Sequence, residues 1–229
     1  MTRKLMAVLG VMLLAAQVSA AEIKELKTDK DKVSYGIGVA MAKNLKGQGI
    51  EVEADVLVKG LQDELGGAKL LMTEAELQAT MGKFKQEMMQ KQIEARKKAA
   101  ADSQKEGDAF LAENKKKKGV VTLPSGLQYQ ILTAGKGKKA KETDTVEVNY
   151  KGALINGTEF DSSYKRGQPT TIKIKEIIPG WREALKLMPM GSKWQLFIPS
   201  KLAYGEKGAG QAIGPNATLI FEVELLAIK

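Results

Sequence analysis

Apolar residues recur every three to four positions through the first half of the chain and every second position through much of the rest, with the change near Gly119. The first period belongs to a helix with one buried face, the second to a strand. Asp29 to Lys46 carries Val33, Ile37, Ala40, Met41 and Leu45 at helical spacing, and Gly47-Gln48-Gly49 breaks it. Asp55 to Leu65 repeats the pattern with Val56, Leu57, Gly60, Leu61 and Leu65, and Gly66-Gly67 ends it. Thr73 with Glu76 three residues on reads as a capping box that opens a third helix. Leu77, Met81, Phe84 and Met88 then alternate at four and three, the seam of a short coiled coil. From Gln90 to Lys118 the chain is polar almost all round. That pattern fits a helix bridging domains through solvent, roughly 60 Å long with its seam. The alternative is a partly disordered linker, with Gly107 as its break.

Beyond Gly119 the period becomes two. Leu127, Tyr129 and Ile131 alternate with glutamines, and Val146, Val148 and Tyr150 with Glu147 and Asn149. Ile172 and Ile174 alternate with lysines, Trp194, Leu196 and Ile198 with Lys193, Gln195 and Phe197, and Leu219 to Leu225 closes the series. Asn156-Gly157 is a hairpin turn signal. Five or six strands with one buried face follow. One helical pattern interrupts them: Trp181, Ala184, Leu185 and Met188 fall at i, i+3, i+4 and i+7 behind Ile177-Ile178-Pro179-Gly180. Proline is tolerated at the first position of a helix, so Trp181 stands where a sheet meets a helix start. The fold expected is α+β: a C-terminal twisted antiparallel β-sheet wrapped on one short helix, preceded by an all-α region and a long linker helix.

Four segments result: 1–20, 21–71, 72–118 and 119–229. The first has Arg3 and Lys4, an apolar run from Leu5 to Ala16 too short to span a bilayer, and a small-x-small cleavage pattern at Val18-Ser19-Ala20. It reads as an export signal, with an uncleaved anchor as the alternative. The expected product is exported and soluble, periplasmic in a Gram-negative bacterium. The second segment has two helices too short to bury a stable core, so a second copy of the chain is the simplest partner and the chain's own remainder the other.

Composition narrows the chemistry. The chain has no cysteine and no histidine, which excludes disulfides, thiolate ligands and histidine-based triads. Carboxylates, hydroxyls, lysines, backbone and pocket shape are what is left, and no cofactor or metal is expected. The net charge of +9 falls to +7 once Arg3 and Lys4 are taken away. Much of the excess lies in the polar helix, and the Lys115–Lys118 run has no interleaved aromatics, so neither nucleic acid nor stable membrane insertion is expected. Tyr150, Phe160, Ile177, Ile178, Trp181, Tyr204 and Phe221 gather near breaks in the strand pattern. Such residues are core in most small sheets, yet an apolar cavity with few polar groups is also the commonest ligand site.

Six stretches carry a resemblance: Val148-Asn149-Tyr150-Lys151-Gly152, Gly157-Thr158-Glu159-Phe160-Asp161-Ser162-Ser163, Ile178-Pro179-Gly180-Trp181, Met190-Gly191-Ser192, Leu202-Ala203-Tyr204-Gly205 and Ala217 to Leu226. In order and spacing they resemble FKBP-type peptidyl-prolyl cis-trans isomerases over about Gly119 to Lys229. The whole layout is similar to the macrophage infectivity potentiator (Mip) subgroup. The resemblance implies an isomerase of X-Pro bonds in exported folding proteins, dimeric through its N-terminal helices, with macrolide inhibitors among its ligands. It implies Trp181 as the floor of a proline pocket and Tyr150, Phe160, Ile177 and Phe221 as its walls. The Ile178 N–H and Tyr204 hydroxyl become donors to substrate carbonyls, and Asp161 the carboxylate facing the pocket. Arg166 and Ile213 become substrate-binding residues, Ile213 as part of a closing loop and Arg166 as the partner of the aspartate region. Asp161 either polarises substrate or only bonds its neighbours. Thr170 and Ala209 depart from the pattern of eukaryotic members, at a pocket-edge aromatic and a loop histidine, which bears on substrate preference and inhibitor affinity. A second reading is a holdase chaperone whose paired arms bind unfolded chains, with isomerase activity incidental.

Overall fold

The computed structural model describes residues 24–229, so the expected export signal lies outside the described residues. The chain divides into two compact units, one ending at Glu74 and the other running from Ala75 to Lys229.

The first unit holds α1 (Asp29–Gly47) and α2 (Ala54–Gly66). A capping box starts α1: the Thr28 hydroxyl accepts from the Asp31 N–H, and the Asp31 carboxylate accepts from the Thr28 N–H at 2.9 Å. Gly67, in the left-handed region at φ 63°, stops α2. Of the stripes that define these helices, Val33, Ile37, Val56, Leu61 and Leu65 are exposed and Met41, Leu45 and Leu57 half-buried, and among the described residues of this unit Asp63 alone is buried.

The second unit begins with α3 (Glu74–Asn114), which runs unbroken through Gly107. The strands are β1 (Val120–Thr122), β2 (Gln128–Thr133), β3 (Thr145–Leu154), β4 (Glu159–Ser162), β5 (Thr170–Lys173), β6 (Lys193–Ile198) and β7 (Leu219–Ile228). They form one antiparallel sheet in the order β1-β2-β6-β7-β3-β4, with β5 also on β3. The two strands beyond those expected, β1 and β4, are three and four residues long, too short to display an alternation. The single helical turn α4 (Ser163–Arg166), capped by the Ser162 hydroxyl, is a third element that periodicity does not reveal.

The sheet wraps on α5 (Pro179–Leu187). Trp181, Ala184, Leu185 and Met188 are buried together with Val146, Val148, Leu196, Ile198, Val223 and Leu225. Pro179 takes the first helical position, where an N–H has no intrahelical partner. Gly180 lets the helix start close on β6: a Cβ there would lie 2.5 Å from the Ile198 Cγ2.

The long helix does not stay in solvent. Residues up to Lys98 are mostly exposed, but Ala100, Ser103, Phe110 and Leu111 are half-buried and Gly107 and Asn114 fully buried. The Asn114 Nδ2 donates to the Gln128 Oε1 at 2.9 Å, and the Gln128 Nε2 to the Leu111 carbonyl at 2.9 Å. The Phe110 and Phe197 ring centres are 5.9 Å apart. This helix face is built largely of small and amide residues and docks largely through hydrogen bonds, so an apolar periodicity does not mark it. Gly107, the position expected to break the helix, is instead its point of closest approach: an added Cβ would stand 3.1 Å from the Thr218 Cβ and overlap its hydroxyl. In an ordinary exposed helix Gly→Ala stabilises by about 1 kcal/mol. Here the sign reverses. Gly107→Ala lowers stability by about 1–3 kcal/mol in chemical denaturation, and Thr218→Ala in the same chain recovers part of it. A stabilised Gly107→Ala variant would contradict this packing.

Candidate active site

Four rings meet edge to face at the start of α5. Trp181 stands on Tyr150 with centres 5.2 Å apart and planes at 86°, and on Phe221 at 5.2 Å and 89°. Phe160 meets Phe221 at 5.5 Å and 83°. The strands bring them together: Tyr150 points inward on β3, Phe221 inward on the adjacent β7, and Phe160 enters from β4. Gly152 makes the cluster possible. It pairs with Phe221 and Asp161 across the sheet, and a Cβ there would fall 2.6 Å from the Phe221 ring and 2.7 Å from the Phe160 ring. Trp181 is 4% exposed, and its indole N–H has no partner among the described residues.

Above the rings opens a cavity of about 540 Å³. Each of the eight residues expected to form a catalytic pocket lines it: Tyr150, Phe160, Asp161, Ile177, Ile178, Trp181, Tyr204 and Phe221. Ile213, on the loop before β7, lines it as well. Arg166 does not. Its guanidinium lies behind, ion-paired with Asp161, donating to the Tyr150 hydroxyl at 2.8 Å and to the Thr170 hydroxyl at 3.1 Å, and set 5.3 Å from the Tyr150 ring centre. Thr170 is likewise outside the lining. Ile172, Glu176, Gly210 and Ala212 complete the walls beside Ala209. Of these, Ile172 had a signal in its alternation with lysines; the others sit where no period exists.

The polar groups are few and placed. The backbone N–H of Ile178, which caps α5, has no hydrogen-bond partner among the described residues, while its carbonyl accepts from Arg182 at 3.1 Å. The Tyr204 hydroxyl also has no partner among the described residues, and the side chain is 40% exposed. Two donors are thus available at an apolar floor. The Asp161 carboxylate is already engaged, by the Tyr150 hydroxyl at 2.5 Å and by Arg166. Partial burial pushes the Asp161 carboxyl up, but these hydrogen bonds and the guanidinium charge outweigh it and hold it below the usual carboxylate range. Burial and the Asp161 carboxylate raise the Tyr150 hydroxyl, with Arg166 opposing. Hydrogen bonds with Tyr150 and Asp161 keep Arg166 charged.

The site is thus an aromatic-floored cavity at the start of the helix on which the sheet wraps, with the Ile178 N–H and Tyr204 hydroxyl without partners among the described residues. The comparisons with known proteins address the family. Residues 136–226 match the FKBP-type peptidyl-prolyl cis-trans isomerase model, and 30–131 match the domain amino terminal to FKBP-type peptidyl-prolyl isomerase. The chain is 48% identical to the outer membrane protein MIP of Legionella longbeachae over 97% of this chain and 95% of that one. It is 44% identical to the peptidyl-prolyl cis-trans isomerase Mip of Coxiella burnetii over 89% of each. The crystal structure of FkpA from Escherichia coli superposes with a TM-score of 0.74 at 40% identity, covering 90% of this chain and 99% of that one. The chain belongs to the FKBP-type peptidyl-prolyl cis-trans isomerase family, alongside its Mip and FkpA members.

The shifted groups fix the pH behaviour. A carboxylate whose folded pKa is lowered stabilises the fold above its unfolded pKa, and that contribution disappears as pH falls through the folded value. Asp161→Asn therefore lowers the melting temperature at neutral pH, and the gap to wild type closes as pH falls below the usual carboxylate range. A gap that persists unchanged in acid would mean that charge at Asp161 is not what the site uses.

Proposed function

We propose that the cavity over Trp181 is where this isomerase rotates X-Pro bonds, and that it does so without acid, base or covalent chemistry. The observation that carries this is the pair of unengaged donors, the Ile178 N–H and the Tyr204 hydroxyl, beside an otherwise apolar floor. The uncatalysed barrier to amide rotation is roughly 18–20 kcal/mol and arises from resonance. The planar, resonance-stabilised amide is more charge-separated than the twisted one, so a dry surrounding disfavours the planar form relative to the twisted form. Tyr150, Phe160, Trp181 and Phe221 supply that surrounding for the proline ring, with Ile177 and Ile213 closing its sides. The Ile178 N–H and Tyr204 hydroxyl bind the carbonyls on either side of the bond in the twisted geometry. Binding the twisted state more tightly than the planar one is catalysis by differential affinity. Asp161 serves chiefly through Tyr150, whose ring it fixes together with Arg166, rather than by touching substrate.

The substrates we infer are proline-containing segments of unfolded or partly folded proteins, with macrolide inhibitors competing for the same cavity. The exposed stripes of α1 and α2 support a homodimer formed through the first unit. They equally suit a holdase surface, so chaperoning by the arms is the second reading and is compatible with catalysis in the second unit. Among the described residues no helix is long and apolar enough to cross a membrane. We assign the protein to the periplasm of a Gram-negative cell on the export pattern in 1–20.

On a short X-Pro peptide the full chain is expected to be active. Tyr204→Phe should lower kcat/KM about threefold to tenfold, as loss of one hydrogen bond implies. Trp181→Ala should cost more than Tyr204→Phe. A Trp181→Ala variant as fast as wild type would place the reaction elsewhere. Sedimentation should give a dimer for the full chain; a monomer at micromolar concentration would remove the pairing role of α1 and α2.

A further inference from the structure

The cavity has a back as well as a mouth. Tyr204 and Ile213 sit near the two ends of a loop that contains only a 3-10 turn, Gly205–Lys207, and a single bridge between Ala209 and Ile213. The loop passes through the left-handed region at Gly205, Gly208, Gly210 and Asn216, so its shape is not maintained by a regular ladder. One backbone bond, from the Asn216 N–H to the Gly205 carbonyl at 2.8 Å, pins its ends together.

Ile213 packs into the core, Ala209 and Ile213 exchange backbone bonds, and further hydrogen bonds come from α3. The Arg96 guanidinium donates to the Lys207 carbonyl at 2.8 Å and to the Glu206 carbonyl at 3.4 Å. The Asn216 Nδ2 donates to the Ala100 carbonyl at 3.4 Å, and the Ser200 hydroxyl to the Gln104 Oε1 at 3.3 Å. Gly107 closes on Thr218. Arg96, Ala100, Gln104 and Gly107 are spaced by four, four and three, so one helix face meets the loop at both of its flanks and at its outer turn. Arg96 is exposed and has no carboxylate partner among the described residues, which leaves the two loop carbonyls as its bonding partners. Both contacts come from one guanidinium nitrogen, Nη2, whose positive charge makes them stronger than a neutral donor would.

We propose that Arg96, with Asn216 as its neutral counterpart, is a positioning residue of the isomerase site: from the long helix it clamps the loop that carries Tyr204 and Ile213. The proposal rests on catalysis in the cavity over Trp181. With the clamp in place, the Tyr204 hydroxyl and Ile213 wall stand ready before substrate arrives. Without it, the loop keeps its internal bonds but samples positions further from the floor, and binding has to order it. Because the loop is ordered when substrate binds, before the bond twists, the ordering cost is common to the planar and twisted states and falls mainly on KM.

The test uses the full chain and a proline tetrapeptide, with kcat and KM resolved separately and backbone amide NMR signals of 204–213 followed without substrate. Arg96→Ala should raise KM about fivefold with kcat within about twofold of wild type, and shift the loop amides. Arg96→Lys should recover part of both effects, since an ammonium can reach one carbonyl. Asn216→Gly, which keeps the left-handed backbone and removes the side-chain tether, should act in the same direction but less. Lys97→Ala removes a neighbouring cation with no loop contact and should leave both readouts unchanged. Wild-type KM and unshifted loop amides in Arg96→Ala would overturn the clamp. Should the wild-type chain itself leave the peptide unrotated, the cavity reading fails, and the loop amides alone decide the clamp.

Discussion

The edge-to-face contact between Trp181 and the rings of Tyr150 and Phe221 sets what the rest of the second unit must do. Aromatic rings packed in this way gain about 0.5–1.5 kcal/mol beyond simple burial, but here the geometry matters more than the energy. It turns a broad, flat ring into the floor of a cavity and leaves the indole N–H buried without a partner among the described residues. Pro179 and Gly180 deliver the ring at a helix start, Gly152 clears space for the surrounding phenylalanines, and the sheet supplies the walls. A side chain at Gly152 would press on the Phe221 and Phe160 rings, and one at Gly180 on Ile198 in the core.

Polar chemistry is arranged around this dry surface in two layers. The inner layer consists of donors with nothing to bind, the Ile178 N–H and the Tyr204 hydroxyl. The outer layer is a closed network in which Asp161, Arg166, Tyr150 and Thr170 satisfy one another. In the proposed mechanism the first binds substrate and the second holds the first layer's surroundings still. That division suits a chain with neither histidine nor cysteine, because nothing in amide rotation requires a proton to move.

Much of this was legible in the sequence because it was written in long periods or in compact motifs. The alternation around Tyr150 and Phe221 and the helical spacing from Trp181 placed the sheet and its helix, and six motifs in register placed the cavity lining. What escaped has a common cause. The short strands β1 and β4 and the turn α4 are set by pairing and capping rather than by period. The loop residues Gly210 and Ala212 reach the cavity through backbone shape alone. The docked face of α3 is the instructive case. Glycine, alanine, serine and asparagine at heptad-like spacing read as solvated, and only a facing surface of Gln128, Phe197 and Thr218 turns them into an interface.

In the proposed mechanism the cavity lowers the barrier by desolvating the amide and binding its twisted form, with no proton in flight. The most direct measurement is the solvent deuterium isotope effect on kcat/KM for the full chain acting on an X-Pro peptide. A ratio of about 1 across neutral pH is the predicted result. A ratio of about 2 or more would mean that a proton is transferred in the rate-limiting step. Dryness over Trp181 and hydrogen bonds from Ile178 and Tyr204 would then not be the source of the rate.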